Sequence, residues 1–191
     1  MIGRLPPKSF CLIRHGETTA NRDGLIAGRL DVPLTEVGRA QAQSLSARHW
    51  PSRYQLFSSP MARAVETCTL GFPAQDFQIV ADTHERDWGI FEGRPIAELP
   101  ARAGRPEQGE DWAEMIDRVA AALQDCGRRA GDKLPILICH SGVIRAARIL
   151  AGQDTTGTRP PNATPIFFNW TGTGHQEAPR DISTPETLRN F

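Results

Sequence analysis

Apolar residues fall into short continuous runs that alternate with longer periodic stretches. Ser9 to Arg14, with the unbroken Phe10-Cys11-Leu12-Ile13, reads as a strand of a sheet covered on both faces. Tyr54 to Ser58, Phe77 to Ala81, Leu134 to Cys139 and Thr164 to Trp170 read as further strands, the last as an antiparallel edge. Thr35 is the predicted N-cap of a helix running to about Trp50, with Val37, Ala40, Leu45 and Ala47 available for packing and Pro51 as its stop. A second helix is expected from Pro60, a residue tolerated in a first turn, to about Leu70. Pro95 to Ala103 suggests a short helix. From Glu110 to about Arg129, Trp112, Met115, Ile116, Val119, Ala120 and Leu123 form one apolar helical face. A last helix is expected from Val143 to Leu150, capped by Gly152. Residues 21–33 and 84–93 read as loops, and residues 104–109 as a lid or a simple surface loop. Beyond Gly172 the polar tail has too few apolar residues to predict structure.

At 191 residues the chain fits one domain spanning 1–191, with residues 1–8 and about 173–191 peripheral or flexible. Lys plus Arg and Asp plus Glu number 22 each, so no global field favours nucleic acid or an anionic membrane, and any anion affinity must be local. The longest apolar run, around Ile136 to Cys139, is far too short to cross a bilayer, and the N-terminus lacks a secretory apolar core. Cys11, Cys68, Cys126 and Cys139 lack Cys-x-x-Cys spacing and fall in strand-like or helix-like segments, as reduced buried thiols of a cytoplasmic protein would. The histidines have no partners at zinc-site spacing, so neither a metal nor another cofactor is expected.

The chemistry concentrates where strands end. Arg14-His15-Gly16 closes the first apolar run with a fork for phosphate or carboxylate, an imidazole that can attack or shuttle a proton, and a residue that lets backbone approach closely. His140-Ser141-Gly142 closes the fourth, and open α/β sheets bind ligands at such edges, so His15 and His140 are expected to face one crevice. Arg63 falls near a helix N-terminus, where the dipole offers a cation nothing; either solvent screens it or an anion sits there. Charge interleaved with Trp88 and Phe91 in residues 84–93 suggests a structured loop.

Together, Arg14-His15-Gly16-Glu17-Thr18 with Asn21, Ser58-Ser59-Pro60 followed by Arg63-Ala64, Glu85 before Trp88-Gly89, and His140-Ser141-Gly142 resemble the histidine phosphatase superfamily over Phe10 to roughly Trp170. The resemblance implies a phosphoglycerate mutase-like fold, a three-layer α/β/α arrangement around a mostly parallel sheet. It implies His15 as the nucleophile forming a phosphohistidine, with Arg14, Arg63 and a cationic His140 around the non-bridging oxygens. Asn21, Ser141 and the backbone N–H groups near Gly142 would add phosphate donors. Glu85 would be the general acid and base, with Glu17 as the rival carboxylate and Glu92 as a structural group. The implied partner is a small phosphorylated substrate; the oligomeric state is unreadable.

Other readings stay open. Cys139-x-x-Gly142-x-x-Arg145 satisfies the loop pattern of cysteine-dependent phosphatases, although Ile138 and Ala146 depart from it. A phosphate sensor without turnover is a rival of another class. Within the family, phosphoglycerate mutases carry a hydroxyl residue where Ala27 precedes Gly28, an Asn where this chain has Gly142, and a longer insertion after the Glu85 loop. These departures favour a phosphomonoesterase, a histidine acid phosphatase-like hydrolase, over a mutase.

Overall fold

A computed structural model describes residues 3–153 and 158–178. Five helices and six strands alternate along them: β1 (Phe10–Arg14), α1 (Thr19–Arg22), α2 (Glu36–Gln43), β2 (Tyr54–Ser58), α3 (Ala62–Gly71), β3 (Phe77–Ile79), α4 (Trp112–Arg129), β4 (Leu134–Cys139), α5 (Ser141–Leu150), β5 (Pro165–Trp170) and β6 (His175–Glu177). The sheet order is β3-β2-β4-β1-β5-β6, parallel from β3 through β1 and antiparallel at β5 and β6.

Side-chain alternation along the central strands builds two cores, one on each face. Phe10, Leu12, Phe57, Leu137 and Phe168 pack with Met115, Val119 and Leu123 of α4 and with Val143 and Ala147 of α5. Cys11, Ile13, Leu56, Ile136 and Ile138 pack on the opposite face with Leu45 and with Ala64 and Cys68 of α3. The three-layer α/β/α arrangement follows, and β1 and β4 are buried at every residue because both faces are covered.

Several sequence expectations are corrected. The helix expected to reach Trp50 ends at Gln43 and continues as a 3-10 turn over Ser44–Ala47. Its buried residues are Gly38, Ala42 and Leu45, spaced i, i+4 and i+7 on one face, whereas Val37 is 56% exposed because it lies off that face. α3 starts at Ala62, with Pro60 and the N-cap Met61 outside it. Between Pro95 and Ala103 only Ile96–Glu98 form a 3-10 turn. β5 is not the edge: β6 lies outside it, held to the body by Arg148, whose guanidinium makes a two-pronged pair with Glu177. Residues 179–191 of the tail lie outside the described residues. At the other end, residues 3–8 lie against α4, with Leu5 buried and the Arg4 carbonyl accepting from Gln124.

One close approach positions everything after β1. The backbone of Gly16 and Glu17 lies directly on the first turn of α2, where a Cβ at Gly16 would overlap the Gly38 carbonyl and one at Gly38 would overlap the Glu17 carbonyl. Thr67 of α3 accepts from the Gly16 N–H (3.0 Å), and Gln41 of α2 accepts from the Glu17 N–H (2.9 Å). Gly38→Ala is therefore expected to destabilise the protein by about 1–3 kcal/mol through this overlap, despite a helix-propensity gain of about 1 kcal/mol. A lowered urea midpoint at unchanged slope is the expected observation.

Candidate active site

Parallel pairing of β1 with β4 sets Arg14 opposite Cys139, so the next residue of each strand, His15 and His140, emerges at the same level. Their ring centroids are 5.2 Å apart. A cavity of about 200 Å³ opens there, lined in part by Arg14, His15, Asn21, Arg63, Ser141 and Gly142. Glu85 and Trp88 line it too. The crevice expected between two strand ends is thus present, except that His140 lies behind His15, off the cavity wall.

His15 is oriented by its own neighbour. Its Nδ1 lies 2.7 Å from the Gly16 carbonyl, which can only accept, so Nδ1 carries the proton and Nε2 keeps its lone pair. Burial, then Arg63 and Arg14, hold the ring's pKa well below the ordinary histidine value, so it is neutral. His140 is neutral as well, which corrects the expected cation. Its Nδ1 accepts from Arg63 Nε (3.4 Å), its Nε2 lies 2.7 Å from Ser59 Oγ, and burial with the charges of Arg63, His15 and Arg14 disfavours protonation.

The two arginines differ. Arg14 donates to the Pro160 carbonyl (3.0 Å) and to Asn21 Oδ1 (3.1 Å), while its buried Nε has no partner among the described residues. Burial, then Arg159, pulls its pKa down to about 9 against the opposing pull of Glu85, leaving it charged at neutral pH. Arg63 was expected to meet solvent or an anion; it is instead fully buried, with the carbonyls of Leu30 and Gly28 each accepting at 2.7 Å. Those carbonyls are presented by Glu92, whose carboxylate accepts from the N–H groups of Gly28, Arg29, Leu30 and Trp88. The structural reading of Glu92 agrees with this geometry.

Glu85 is the carboxylate on the cavity. Its Oε1 accepts from the Arg86 N–H (2.8 Å) and its Oε2 from the Gly142 N–H (2.9 Å), so it caps the N-terminus of α5. A Cβ at Gly142 would overlap Glu85 Oε1, so the glycine lets the carboxylate approach this closely. The Gly142 N–H, expected as a phosphate donor, is thus engaged by Glu85. Glu17, the rival, accepts from Thr35 Oγ1 (2.7 Å) and does not line the cavity. Asn21 closes a capping box with Thr18 while holding Arg14.

Sequence reasoning missed Asn162, which donates to the His15 carbonyl (2.8 Å) from the loop before β5. It also missed Arg102 and Arg159 as cavity residues, whereas Arg145, noted only in the Cys-x-x-Gly-x-x-Arg loop pattern, does line the cavity. Cys139 is fully buried, its thiol pushed well above the ordinary range by desolvation, so the loop pattern it shares with cysteine phosphatases does not supply a thiolate. Among the described residues no group of three His, Cys, Asp or Glu side chains is arranged to hold a metal ion. Nor is any of their helices long and apolar enough to cross a membrane.

The sequence model of the histidine phosphatase superfamily, branch 1, matches residues 10–163. The chain is 31% identical over 145 residues to the probable phosphoglycerate mutase GpmB of Yersinia enterocolitica, covering 68% of this chain and 67% of that one. It is 30% identical over 154 residues to phosphoglycerate mutase-like protein 4 of Arabidopsis thaliana, covering 71% and 67%. Among solved structures, TTHB049 of Thermus thermophilus superposes with a TM-score of 0.74 at 30% identity, over 90% of this chain and 98% of that one. An Escherichia coli protein assigned as an α-ribazole-5′-P phosphatase shares the fold with a TM-score of 0.79 at 24% identity, over 93% and 98%.

Both site histidines are neutral in the folded protein, whereas an unfolded chain binds a proton on each near pH 6.5. Below that pH the unfolded state takes up protons that the folded state refuses, so stability present above pH 6.5 is lost as pH falls. The expected slope is about 1.4 kcal/mol per pH unit for each histidine between about pH 6.5 and 5. Half-buried His84 and His175 act in the same direction. Urea midpoints measured from pH 7.5 to 5 should fall, and should fall less in His15→Asn and His140→Asn.

Proposed function

The chain belongs to branch 1 of the histidine phosphatase superfamily, and from that premise we propose that it is a phosphomonoester hydrolase working through a phosphohistidine on His15. The observation that carries the reading is the Nδ1 tie to Gly16, which leaves a neutral ring with its Nε2 lone pair available beside Arg14. Nε2 attacks phosphorus, an N–P bond forms, and the P–O bond to the leaving group breaks. Glu85, held by two backbone N–H groups, gives its proton to the departing oxygen. In the second half a water oxygen attacks phosphorus, Glu85 takes its proton, and the N–P bond breaks to release phosphate and restore His15.

Charge on the transferring group is the main thing the protein must meet. Arg14 is the principal clamp, because among the described residues only two of its five N–H groups are engaged and its Nε meets no acceptor. Arg63 acts chiefly through the field it adds and through His140, since its donors already meet Gly28, Leu30 and His140. Asn21 and Ser141, which line the cavity, complete the phosphate site.

Relatives named as mutases keep a phosphoglycerate mutase as the second reading. Against it, an Asn at position 142 would require the Glu85 carboxylate to leave its present place beside the Gly142 backbone. The span after the Glu85 loop is also short: residues 94–111 precede α4 and contain one 3-10 turn. Its middle is drawn onto the Glu85 loop, where Glu107 accepts from the Ile90 N–H and Asp87 from the Glu110 N–H.

His15→Ala should lower kcat on phenyl phosphate by at least about a thousandfold, roughly 4 kcal/mol. It should also abolish an acid-labile, base-stable phosphoryl adduct trapped by alkaline quench. Arg14→Lys, lacking the fork, should lose about a hundredfold in kcat/KM, while Cys139→Ser stays active. Activity lost in Cys139→Ser but kept in His15→Ala would sink the assignment. Rapid isomerisation of 3-phosphoglycerate would turn it to a mutase, and an adduct that forms but never turns over would turn it to a sensor.

A further inference from the structure

Outside the cavity, one guanidinium is arranged to hold the segment that carries Glu85. Arg118 of α4 has an acceptor for each of its five N–H groups. Its Nε and Nη2 form a two-pronged pair with the Glu110 carboxylate. Nη1 donates to the carbonyls of Asp82 (2.7 Å) and His84 (2.9 Å), and Nη2 also reaches the Glu85 carbonyl (3.4 Å). The Arg118 and Glu110 side chains are only 15% and 14% exposed, so water competes little for these bonds.

Glu110 adds to the same grip through its main chain. Its N–H donates to the Asp87 carbonyl (3.0 Å), and its own carbonyl accepts from Arg86 Nε (3.1 Å). His84 Nδ1 meets the Glu85 carbonyl as well (2.9 Å). Residues 84–88 belong to no helix or strand, so their path is set by these ties and not by a ladder of their own. α4 also packs on α5, where Met115 and Val119 share a core with Val143 and Ile144. One helix thus holds both the main chain of Glu85 and the helix whose first turn the Glu85 carboxylate caps. Because Glu110 cancels the Arg118 charge and neither lines the cavity, the pair adds little to the field there. What it supplies is the location of the carbonyls.

We propose that Arg118, clamped by Glu110, is a positioning residue for Glu85, fixing its main chain so that the carboxyl stays where it can protonate the leaving-group oxygen. The inference rests on the reading of Glu85 as the general acid of a phosphomonoester hydrolase. Loss of Arg118 removes neither the acid, the nucleophile nor the phosphate clamp. It lets the carboxyl drift, and a displacement of about 1 Å costs about a hundredfold in rate. The loss falls only on a step that needs the proton. Phenolate is basic and leaves phenyl phosphate with a proton from Glu85, whereas the far weaker base 2,4-dinitrophenolate leaves as the anion.

The test compares kcat/KM for these two esters in each variant, since kcat/KM reports transfer to His15 and not the later hydrolysis. Arg118→Met/Glu110→Met removes both partners of the buried pair together and so leaves no unpaired charge. It should lose about thirtyfold or more on phenyl phosphate and less than about threefold on 2,4-dinitrophenyl phosphate. Arg118→Lys, which keeps the charge without the fork, should fall between this variant and the wild type, and Glu85→Gln should show the same preference more strongly. Taking the ratio of esters within each variant keeps a partly unfolded population from imitating the effect. A readout without turnover is amide hydrogen exchange at Arg86 and Gly142, whose N–H groups Glu85 accepts. Exchange there should quicken by at least about tenfold in the double variant while the β4 amides stay protected. Equal losses on the two esters, or unchanged exchange at Arg86 and Gly142, overturns the proposal. Glu85→Gln treating the esters alike would overturn it together with the acid assignment. A wild type that hydrolyses neither ester, with exchange quickened in the double variant, would overturn the hydrolase reading and leave the positioning of Glu85 standing.

Discussion

The burial of guanidinium groups without carboxylate partners is the constraint from which the site's chemistry follows. A buried cation needs acceptors, and a carboxylate would satisfy it while cancelling its charge. Here carbonyl oxygens and an amide do the holding: Pro160 and Asn21 for Arg14, Gly28 and Leu30 for Arg63, and three carbonyls for Arg86. The charge therefore survives, and the cavity is poised for an anion before one arrives. The same field, added to desolvation, keeps His15 and His140 neutral. A nucleophile that must be unprotonated thus gains its state from the groups that will hold its target.

Carboxylates in this region serve backbone instead. Glu92 gathers four N–H groups and so shapes the carbonyls that hold Arg63, while Glu85 gathers two and bridges the 84–93 loop to the start of α5. Glu85 consequently stands at the cavity through a helix N-terminus supplied by β4-α5, some 57 residues away in sequence, and not through its own loop alone. The glycine that permits this approach, Gly142, is also one of the positions at which the chain departs from the mutase pattern.

Much of the sheet was legible because its central strands are buried on both faces. Tyr54 to Ser58 and Leu134 to Cys139 were placed at their observed bounds, and the apolar stripe of α4 was read almost residue for residue. Where packing on one side decides the matter, the pattern misleads: Val37 is apolar yet exposed because α2 turns Gly38 and Ala42 to the body, and β6 carries no apolar pattern, Arg148 instead holding its Glu177. The site divides in the same way. Arg14, His15, Glu85 and His140 stand out because each sits at a strand end or in the loop that follows, and Arg63 because it opens the helix after β2, all within a spaced set of motifs. Asn162, Arg86 and Arg102 belong to no such set.

The sequence by itself determined that one α/β domain would end two buried strands in histidines and set an Arg beside the first. Local patterns suffice for that, since alternation and strand ends are properties of neighbouring residues. Tertiary structure alone decided which oxygens hold each guanidinium, that His140 is neutral and recessed, that Glu85 and not Glu17 reaches the cavity, and that Arg102 lies over two tryptophan rings. Charge states and hydrogen-bond partners depend on desolvation and on groups distant in sequence, and neither is written in the order of residues.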